Sequence, residues 1–288
     1  MPKVPVSILI PIKNEAANLP RCLASVAWAD QIIVVDSQST DGSINICHQA
    51  GAEVVQFFFN GTWPKKKNWA LENVPFRNAW VFIFDADEVL PPSAEEEFAT
   101  LIAQDGRGNQ GYWINRRLMF MGAWLKHAYY PNWNLRLFRH HLGRFEHLVH
   151  GQTDSGDNEV HEHVLFQGRT GHLRSVMDHY AFPSVSVFVE KHNRYSNWEA
   201  LLNLENALAS HDPAVLQNPH IRRRRRLRRF AARLPFRPTL RFLYVYLVQG
   251  AVLDGRRGYY FARLQAFYEF LSIAKTAELR SQAPHPAR

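Results

Sequence analysis

The chain has 288 residues, of which 46% are hydrophobic and 21% are charged. This composition excludes a disordered or fibrous protein and allows one large domain or a domain with an appendage. Two cysteines, Cys22 and Cys47, are too few for a disulfide framework and lack metal-binding spacing, so we expect a reduced, cytosolic compartment. The net charge of +8 is unevenly distributed, because residues 221–288 carry sixteen Lys and Arg against three Asp and Glu.

Four apolar segments of buried-strand type alternate with helical segments in the first third of the chain. Strands are predicted at residues 6–12, 31–36, 53–58 and 80–84, with helices at 16–27, at 43–50 and after Trp63. This alternation is typical of βαβ units on a parallel sheet, and right-handed crossovers place the carboxyl ends of the strands along one edge. We therefore predict an α/β fold with a mostly parallel sheet flanked by helices.

The fourth predicted strand is followed by Asp85 and Asp87. On an extended chain, residues two apart lie on the same side. Two such carboxylates repel each other unless a cation lies between them, and Mg²⁺ or Mn²⁺ shared with a phosphate is the cation expected at oxygen ligands. A solvated turn before a helix near Ser93 is the alternative interpretation. Neither a dinucleotide-binding glycine motif nor a P-loop motif is present, which disfavours dehydrogenases and P-loop NTPases.

Four motifs resemble, in order and spacing, the family 2 glycosyltransferases. They are VSILIPIKNE at residues 6–15, IVVDSQSTDGS at 33–43, WPKKKNWAL at 63–71 and IFDADE at 83–88. The resemblance implies inverting enzymes of the GT-A fold, in which a Rossmann-like sheet binds a nucleotide sugar.

The resemblance also implies roles for individual residues. Asp36 would bind the nucleotide base, Asp85 the ribose, and Asp87 a divalent metal, Mg²⁺ or Mn²⁺, on the donor diphosphate. The family's first nucleotide-contact segment corresponds here to Pro11, Asn14 and Glu15. Many members carry two adjacent aspartates where this chain has Asp36 and a serine, so the identity of the donor base is left open.

Residues 4–200 extend the similarity to a bacterial subgroup that glycosylates lipopolysaccharide core or exopolysaccharide intermediates, through the pattern RLFR, VHE and KHNRYSNWEA. Inverting transfer needs a general base for the acceptor hydroxyl, and a partly desolvated carboxylate suits that role. The subgroup resemblance places this base at Glu162, with Asp157 and Glu159 as nearby alternatives. A salt bridge from Glu162 to an arginine is the structural alternative.

Several cationic side chains are further candidates for donor binding. Arg136, together with Arg139, would brace the departing diphosphate, since guanidinium groups match phosphate geometry. Lys67 is the last of three lysines at a helix start, where an anionic ligand would offset their unfavourable position in the helix dipole. Surface ion pairing is the alternative in each case. Among the many histidines, His161 is the one expected to complete the metal shell or orient the acceptor.

The C-terminal part of the chain is basic and amphipathic. After a helix predicted at residues 179–200, an arginine run occupies residues 222–229, and the longest apolar stretch, residues 242–253, is shorter than the roughly twenty residues that span a bilayer. We predict a catalytic domain at residues 1–205 and a helical membrane-associating region at 206–288 that lies on anionic lipid. Nucleic-acid binding is the competing interpretation, but no nucleic-acid-binding motif is present.

Together these features predict an inverting, metal-dependent hexosyltransferase. Its donor would be a nucleotide diphosphate sugar, UDP-linked, and its acceptor a lipid-linked saccharide of bacterial lipopolysaccharide or other cell-surface polysaccharide. The enzyme would lie in the cytoplasm, on the inner face of the cytoplasmic membrane. The alternatives are a metal-dependent sugar-nucleotide hydrolase and a nucleic-acid-associated protein that binds through its arginine run.

Overall fold

The computed structural model describes residues 2–61, 63–146, 164–204 and 234–282. The strands within these residues are β1 Val4–Ile12, β2 Ala29–Asp36, β3 Glu53–Gln56, β4 Trp80–Ile83, β5 Glu88–Val89, β6 Gly111–Phe120, β7 Ala123–Trp124, β8 Trp133–Arg139, β9 Gly143–Phe145, β10 Val164–Phe166 and β11 Thr170–Phe182. The α-helices are α1 Leu19–Ser25, α2 Ser43–Gln49, α3 Lys66–Asn73, α4 Ser93–Ala103, α5 Val185–Leu204, α6 Arg237–Leu243 and α7 Gly255–Gln282.

One half of the main sheet is parallel and buried on both faces. β1 lies between β2 and β4, and β3 continues the parallel pairing beyond β2. Ile8 and Ile10 of β1 belong to one apolar cluster and Leu9 to a second cluster on the opposite face, and all three are fully buried. Helices therefore cover both faces, as expected for parallel strands with continuous apolar runs. The predicted α/β fold with flanking helices is confirmed.

The other half of the sheet is mixed. The strand order is β3-β2-β1-β4-β8-β6-β11-β5, with β7 paired to β6 at the edge, and β9 and β10 form a separate ribbon. β8 runs antiparallel to both β4 and β6, whereas β11 runs parallel to β6. β11 also pairs with β5, which sets His179 opposite Glu88. This pairing brings the end of β11 next to the segment that follows β4.

The predicted helix at residues 179–200 begins six residues later than expected. His179 lies in β11, and α5 begins at Val185. Pro183 follows the strand, and the hydroxyl of Ser184 accepts a hydrogen bond from the backbone N–H of Val187 at 3.2 Å. A serine hydroxyl that accepts from the third helical residue is a typical helix N-cap. Strand pairing to β6 and β5 and this cap therefore decide where the helix starts.

The described C-terminal helices pack against the sheet-bearing part of the chain. Val245, Ala251 and Phe261 share a buried apolar cluster with Phe120 of β6 and Phe188 of α5. The apolar stretch at 242–253 divides into the end of α6, a π-helical turn at Tyr244–Val248 and a 3₁₀ turn at Ala251–Asp254. Within the described ranges, no helix is both long enough and apolar enough to cross a membrane. The arginine run and the domain boundary at 205/206 lie outside the described residues, so that boundary stays a prediction.

Candidate active site

Two loops at the carboxyl edge of the parallel strands are tied together by hydrogen bonds. The loop after β1 contains Asn14, whose backbone φ of 54° lies in the left-handed region. Its N–H donates to the hydroxyl of Ser39 at 2.8 Å, and its side-chain oxygen accepts from the N–H of Thr40 at 2.8 Å. The N–H of Glu15 donates to the hydroxyl of Ser43 at 2.9 Å. The ends of β1 and β2 therefore form one rigid rim.

Asp36 lies under this rim, next to an aromatic cavity. The Asp36 side chain is fully buried and accepts hydrogen bonds from the backbone N–H of Ser39 and from Nε2 of Gln56, both at 3.0 Å. Pro11 pairs with Val35 in the neighbouring strand. Gln56 also borders a cavity of about 270 Å³ whose other lining residues are Phe57, Phe58, Asn60, Pro64 and Trp69. This cavity has the aromatic walls that suit a planar ring.

Asp85 and Asp87 lie on a turn rather than on an extended chain. The backbone N–H of Glu88 donates to the carbonyl of Asp85 at 2.9 Å, and the N–H of Asp85 donates to Oε2 of Glu88 at 2.9 Å. These two bonds close the turn between β4 and β5. The expectation that both carboxylates point the same way is therefore wrong, because the turn directs them to different partners.

Asp85 is paired with fixed cations. Its carboxylate lies 2.6 Å from Nη2 of Arg136 and 3.1 Å from Nζ of Lys67. Arg136 is 8% exposed and also contacts Oε1 of the fully buried Glu88 at 3.0 Å, and Arg116 contacts the same oxygen at 3.1 Å. Burial would raise the pKa of Asp85, but Arg136 and Lys67 outweigh it and hold that pKa well below its usual value. The charge of Asp85 is thus balanced within the fold.

Asp87 has longer contacts with two residues that the sequence did not single out. Oδ1 of Asp87 lies 3.4 Å from Nε2 of His179, and Oδ2 lies 3.6 Å from Nζ of Lys191. The backbone carbonyl of Asp87 accepts from the N–H of Tyr180 at 2.8 Å, which fixes the turn against β11. Burial would raise the pKa of Asp87, but His179 and then Lys191 lower it below its usual value.

Glu15 completes the group of carboxylates at this edge. Burial raises the pKa of Glu15, a hydrogen bond from Asn18 at 2.7 Å opposes the rise, and the negative charges of Asp87 and Asp85 add to it. The pKa of Glu15 therefore depends on the charges of Asp85 and Asp87, although Glu15 follows β1 and the two aspartates follow β4. The structure thus brings the ends of β1, β4 and β11 together at one site, and β2 contributes Asp36 beside it.

The side-chain atoms at Asp87 fit a divalent metal whose remaining coordination positions a substrate would fill. Within the described part of the chain, no group of three or more His, Cys, Asp or Glu side chains is arranged to hold a metal ion. Asp87 and His179 nevertheless face each other with an oxygen and a nitrogen, at 3.4 Å. Mg²⁺ and Mn²⁺ sites that act on nucleotides commonly use one or two protein ligands and take the remaining oxygens from phosphate and water. The pair is compatible with such a site.

Residues 7–160 match the family model for glycosyl transferase family 2. The chain belongs to this family. It is 27% identical over 304 residues to the lipopolysaccharide core biosynthesis glycosyltransferase LpsC of Rhizobium meliloti, covering 99% of this chain and 97% of LpsC. It is also 31% identical over 199 residues to an uncharacterized glycosyltransferase of Rickettsia felis, covering 68% and 69% of the two chains. Among solved structures, S. aureus TarS 1–349 in complex with UDP aligns with a TM-score of 0.46 and 14% identity, over 98% of this chain and 93% of TarS.

The site residues that the sequence predicts for this glycosyltransferase do not all lie together in the structure. Lys67 and Arg136 both contact Asp85, and Arg139 lies at the far end of β8, with its guanidinium 4.5 Å from the Trp80 ring centroid. Arg139 is therefore too far along the strand to brace a diphosphate at Asp87. His161 and Glu162 lie outside the described residues. His179 and Lys191, which contact Asp87, were not predicted from the sequence. Features of the sequence could have indicated them, since His179 is one of many histidines in this part of the chain and Lys191 is the first residue of the KHNRYSN motif.

Proposed function

We propose that this glycosyltransferase moves a hexose from a nucleotide diphosphate sugar, UDP-linked, to a lipid-linked saccharide in bacterial lipopolysaccharide core or related cell-surface polysaccharide synthesis. The similarity to LpsC over nearly the whole of both chains supports this acceptor class. The observation that carries the proposal is the facing pair of Asp87 and His179 at the sheet edge, with Asp85 beside it already neutralised. The relatives give no support to the hydrolase or nucleic-acid alternatives.

The donor would lie along the rim from Asp36 to Asp87. In this arrangement the base enters the aromatic cavity, where Phe58 is 71% exposed and available for stacking. Asp36 is held by Ser39 and Gln56, so it presents its remaining lone pairs in a fixed direction. The segment of Pro11, Asn14 and Glu15 borders the nucleoside, and Asp85 lies on the ribose side of the turn.

Asp87 and His179 would hold Mg²⁺ or Mn²⁺, which when bound neutralises charge on the departing diphosphate. Lys191 and Lys67 lie on either side of the turn and add positive charge where the leaving group develops negative charge. In a single displacement, the acceptor oxygen forms a bond to the anomeric carbon while the bond to the diphosphate oxygen breaks. The acceptor proton passes to a general base, for which Glu162 remains our choice, and the anomeric configuration inverts.

Donor titration by calorimetry tests the role of Asp87. In the presence of Mn²⁺ we expect the parent protein to bind a UDP-hexose and Asp87→Asn to lose the Mn²⁺-dependent part of that binding, because the amide lacks the charge that holds the cation. Glu53→Gln is a matched control, since Glu53 begins β3 at the opposite end of its strand and pairs with Arg77. Unchanged Mn²⁺-dependent binding in Asp87→Asn would remove the metal site from this position.

The proposed base and acceptor are tested by turnover. Glu162→Gln is expected to bind donor as the parent does and to lose transfer by about 100- to 10,000-fold, the usual contribution of a general base. An active Glu162→Gln would assign the role of general base to another residue.

The acceptor class is tested with labelled donor and a membrane extract, in which label should enter the lipid fraction. Label released only as free sugar would favour hydrolysis instead.

We also propose that the enzyme lies peripherally on the inner face of the cytoplasmic membrane.

A further inference from the structure

The exposed apolar side chains of the protein are concentrated in its C-terminal helices. Of the nineteen large hydrophobic side chains that are exposed among the described residues, thirteen lie in residues 234–282. This region makes up only about a fifth of the described chain. Single exposed apolar residues are normal on soluble proteins, whereas a contiguous group marks an interaction surface or a membrane contact. The concentration of exposed apolar side chains in this region therefore indicates a surface that contacts another molecule or a membrane.

The most exposed group lies where the chain turns from α6 into α7. We name the apolar edge as Tyr244, Leu247, Val248, Val252 and Leu253, which are 46%, 58%, 74%, 42% and 69% exposed. The π-helical turn and the 3₁₀ turn carry these residues, and glycines at positions 250 and 255 adopt φ values of 76° and 62° that reverse the chain between and after them. Consecutive short turns thus present several apolar side chains outward together.

The apolar edge is firmly attached to the catalytic part of the protein. Asp254 accepts hydrogen bonds from the backbone N–H groups of Lys126 at 2.9 Å, His127 at 3.1 Å and Ala128 at 2.9 Å. Behind the edge, Val245 is fully buried in the cluster shared with β6 and α5. A ligand of the edge would therefore orient the whole glycosyltransferase and not merely a loose tail.

The exposed charges beside the apolar edge are positive. Arg256 and Arg257 follow it directly and are both exposed. Asp254 is the single acidic residue in the sequence between positions 236 and 260, and its side chain is 5% exposed and bound to the backbone. The sequence also places seven arginines at 222–229, upstream of the edge. This combination complements a surface that is negatively charged at its boundary and apolar beneath it.

We propose that the apolar edge, together with Arg256 and Arg257, docks on the surface of an anionic lipid bilayer, with Leu247, Val248 and Leu253 inserted among the lipids and the arginines at the headgroup phosphates. Buried apolar area and attraction to anionic headgroups are the two contributions that hold a protein at a membrane interface. A nucleic acid would account for the arginines but not for the apolar side chains. The inference extends the proposed function, because a lipid-linked acceptor lies at the same surface, but lipid binding is measured without turnover.

Vesicle co-sedimentation of the full chain tests the proposal. On vesicles of phosphatidylglycerol and phosphatidylcholine, we expect Leu247→Ser/Val248→Ser/Leu253→Ser to bind about tenfold more weakly than the parent, because the inserted apolar area is lost. Arg256→Gln/Arg257→Gln should lose about fivefold per arginine. At about 1 M salt, where the Debye length is about 3 Å, the parent should keep the apolar contribution and the triple variant should release.

A matched control removes an exposed apolar side chain from the sheet-bearing part. Trp133→Ser deletes a large ring that is 40% exposed, and its vesicle binding should equal that of the parent. Thermal melts show that each variant is folded. The proposal is overturned if the triple variant binds vesicles as the parent does, or if binding is equal on pure phosphatidylcholine. It is also overturned if light scattering shows that the triple variant converts a dimer to a monomer without changing vesicle binding. Donor binding by calorimetry remains a separate measurement, so failure here leaves the proposed function standing.

Discussion

The two sides of the turn after β4 balance negative charge in different ways. On one side, Asp85 lies 2.6 Å from Arg136 and 3.1 Å from Lys67. On the other side, Asp87 lies 3.4 Å from His179 and 3.6 Å from Lys191. Shorter, charge-assisted contacts are the stronger ones. Asp85 is thus compensated by the protein itself, whereas the weaker partners of Asp87 leave it able to accept an exchangeable cation.

This difference assigns separate tasks to two residues of one short motif. Arg136 joins Asp85 and the buried Glu88, so the pairing holds the turn in shape. Asp87 projects from that turn towards β11 and α5, the elements that carry His179 and Lys191. A rigid first aspartate therefore positions the second one, for which we propose the metal-binding role. Stability should therefore depend on the Asp85 side of the turn, and metal use on the Asp87 side.

The largest expected effect is loss of stability in Arg136→Met. The substitution removes the buried guanidinium that joins Asp85 to Glu88 and leaves each carboxylate with one cation at 3.1 Å, Lys67 and Arg116 respectively. Removing one partner of a buried ion pair costs about 3–5 kcal/mol. Urea unfolding followed by circular dichroism measures it. Arg77→Met is the control, because its ion pair with Glu53 is about half exposed and is worth at most about 1 kcal/mol. Equal losses in the two variants would contradict a structural role for the Asp85 side of the turn.

On the Asp87 side, His179→Gln should change metal use rather than stability. We expect the Mn²⁺ concentration for half-maximal activity to rise about 10- to 100-fold, since the ring nitrogen that faces Asp87 is lost. His172→Gln is a control on the same strand, where the ring contacts Trp133 instead. If both variants need the same Mn²⁺ concentration as the parent, His179 is not part of the metal site.

The parallel half of the sheet could be predicted because its information is local. β1, β2 and β4 contain continuous apolar runs, and β1, β2 and β3 are each followed by a helix. α4 begins at Ser93, where the sequence indicated a helix start. The residues that end these strands, Asp36 and Asp85 among them, could therefore be assigned to one edge from the sequence alone. The prediction needed only the alternation of elements and the handedness of their connections.

The other half could not be predicted, because its pairings join distant residues. Val81 pairs with Phe138 through the antiparallel β8, and Glu88 pairs with His179 through β5 and β11. The sequence offers many histidines, among which it favours His161, a residue outside the described part of the chain. The pairing of β5 with β11 sets His179 next to Asp87, and no local pattern shows that pairing.

A smaller effect is expected from a titrating residue behind the Asp87 side. His192 follows Lys191 on α5, its ring stacks on Phe188 at 3.7 Å, and its Nδ1–H donates to the Phe188 carbonyl at 2.8 Å. Tyr195 on the same helix and Tyr268 of α7 also face the ring. Burial, with a contribution from Lys191, lowers the pKa of His192 to about 4, although the carbonyl bond opposes this. The buried ring is therefore neutral at ordinary pH.

Acid should separate this histidine from the two aspartates. An unfolded histidine takes up a proton near pH 6.5, so stability is lost as pH falls from about 6.5 to 4 and is fully retained above that window. The pKa values of Asp85 and Asp87 lie below their usual range, so both stay ionised through most of this window. Melting temperatures between pH 7 and 4.5 should therefore fall less in His192→Gln than in the parent, whereas the exposed His48→Gln should follow the parent. An equal fall in His192→Gln would place the acid sensitivity at the ion pairs of the turn.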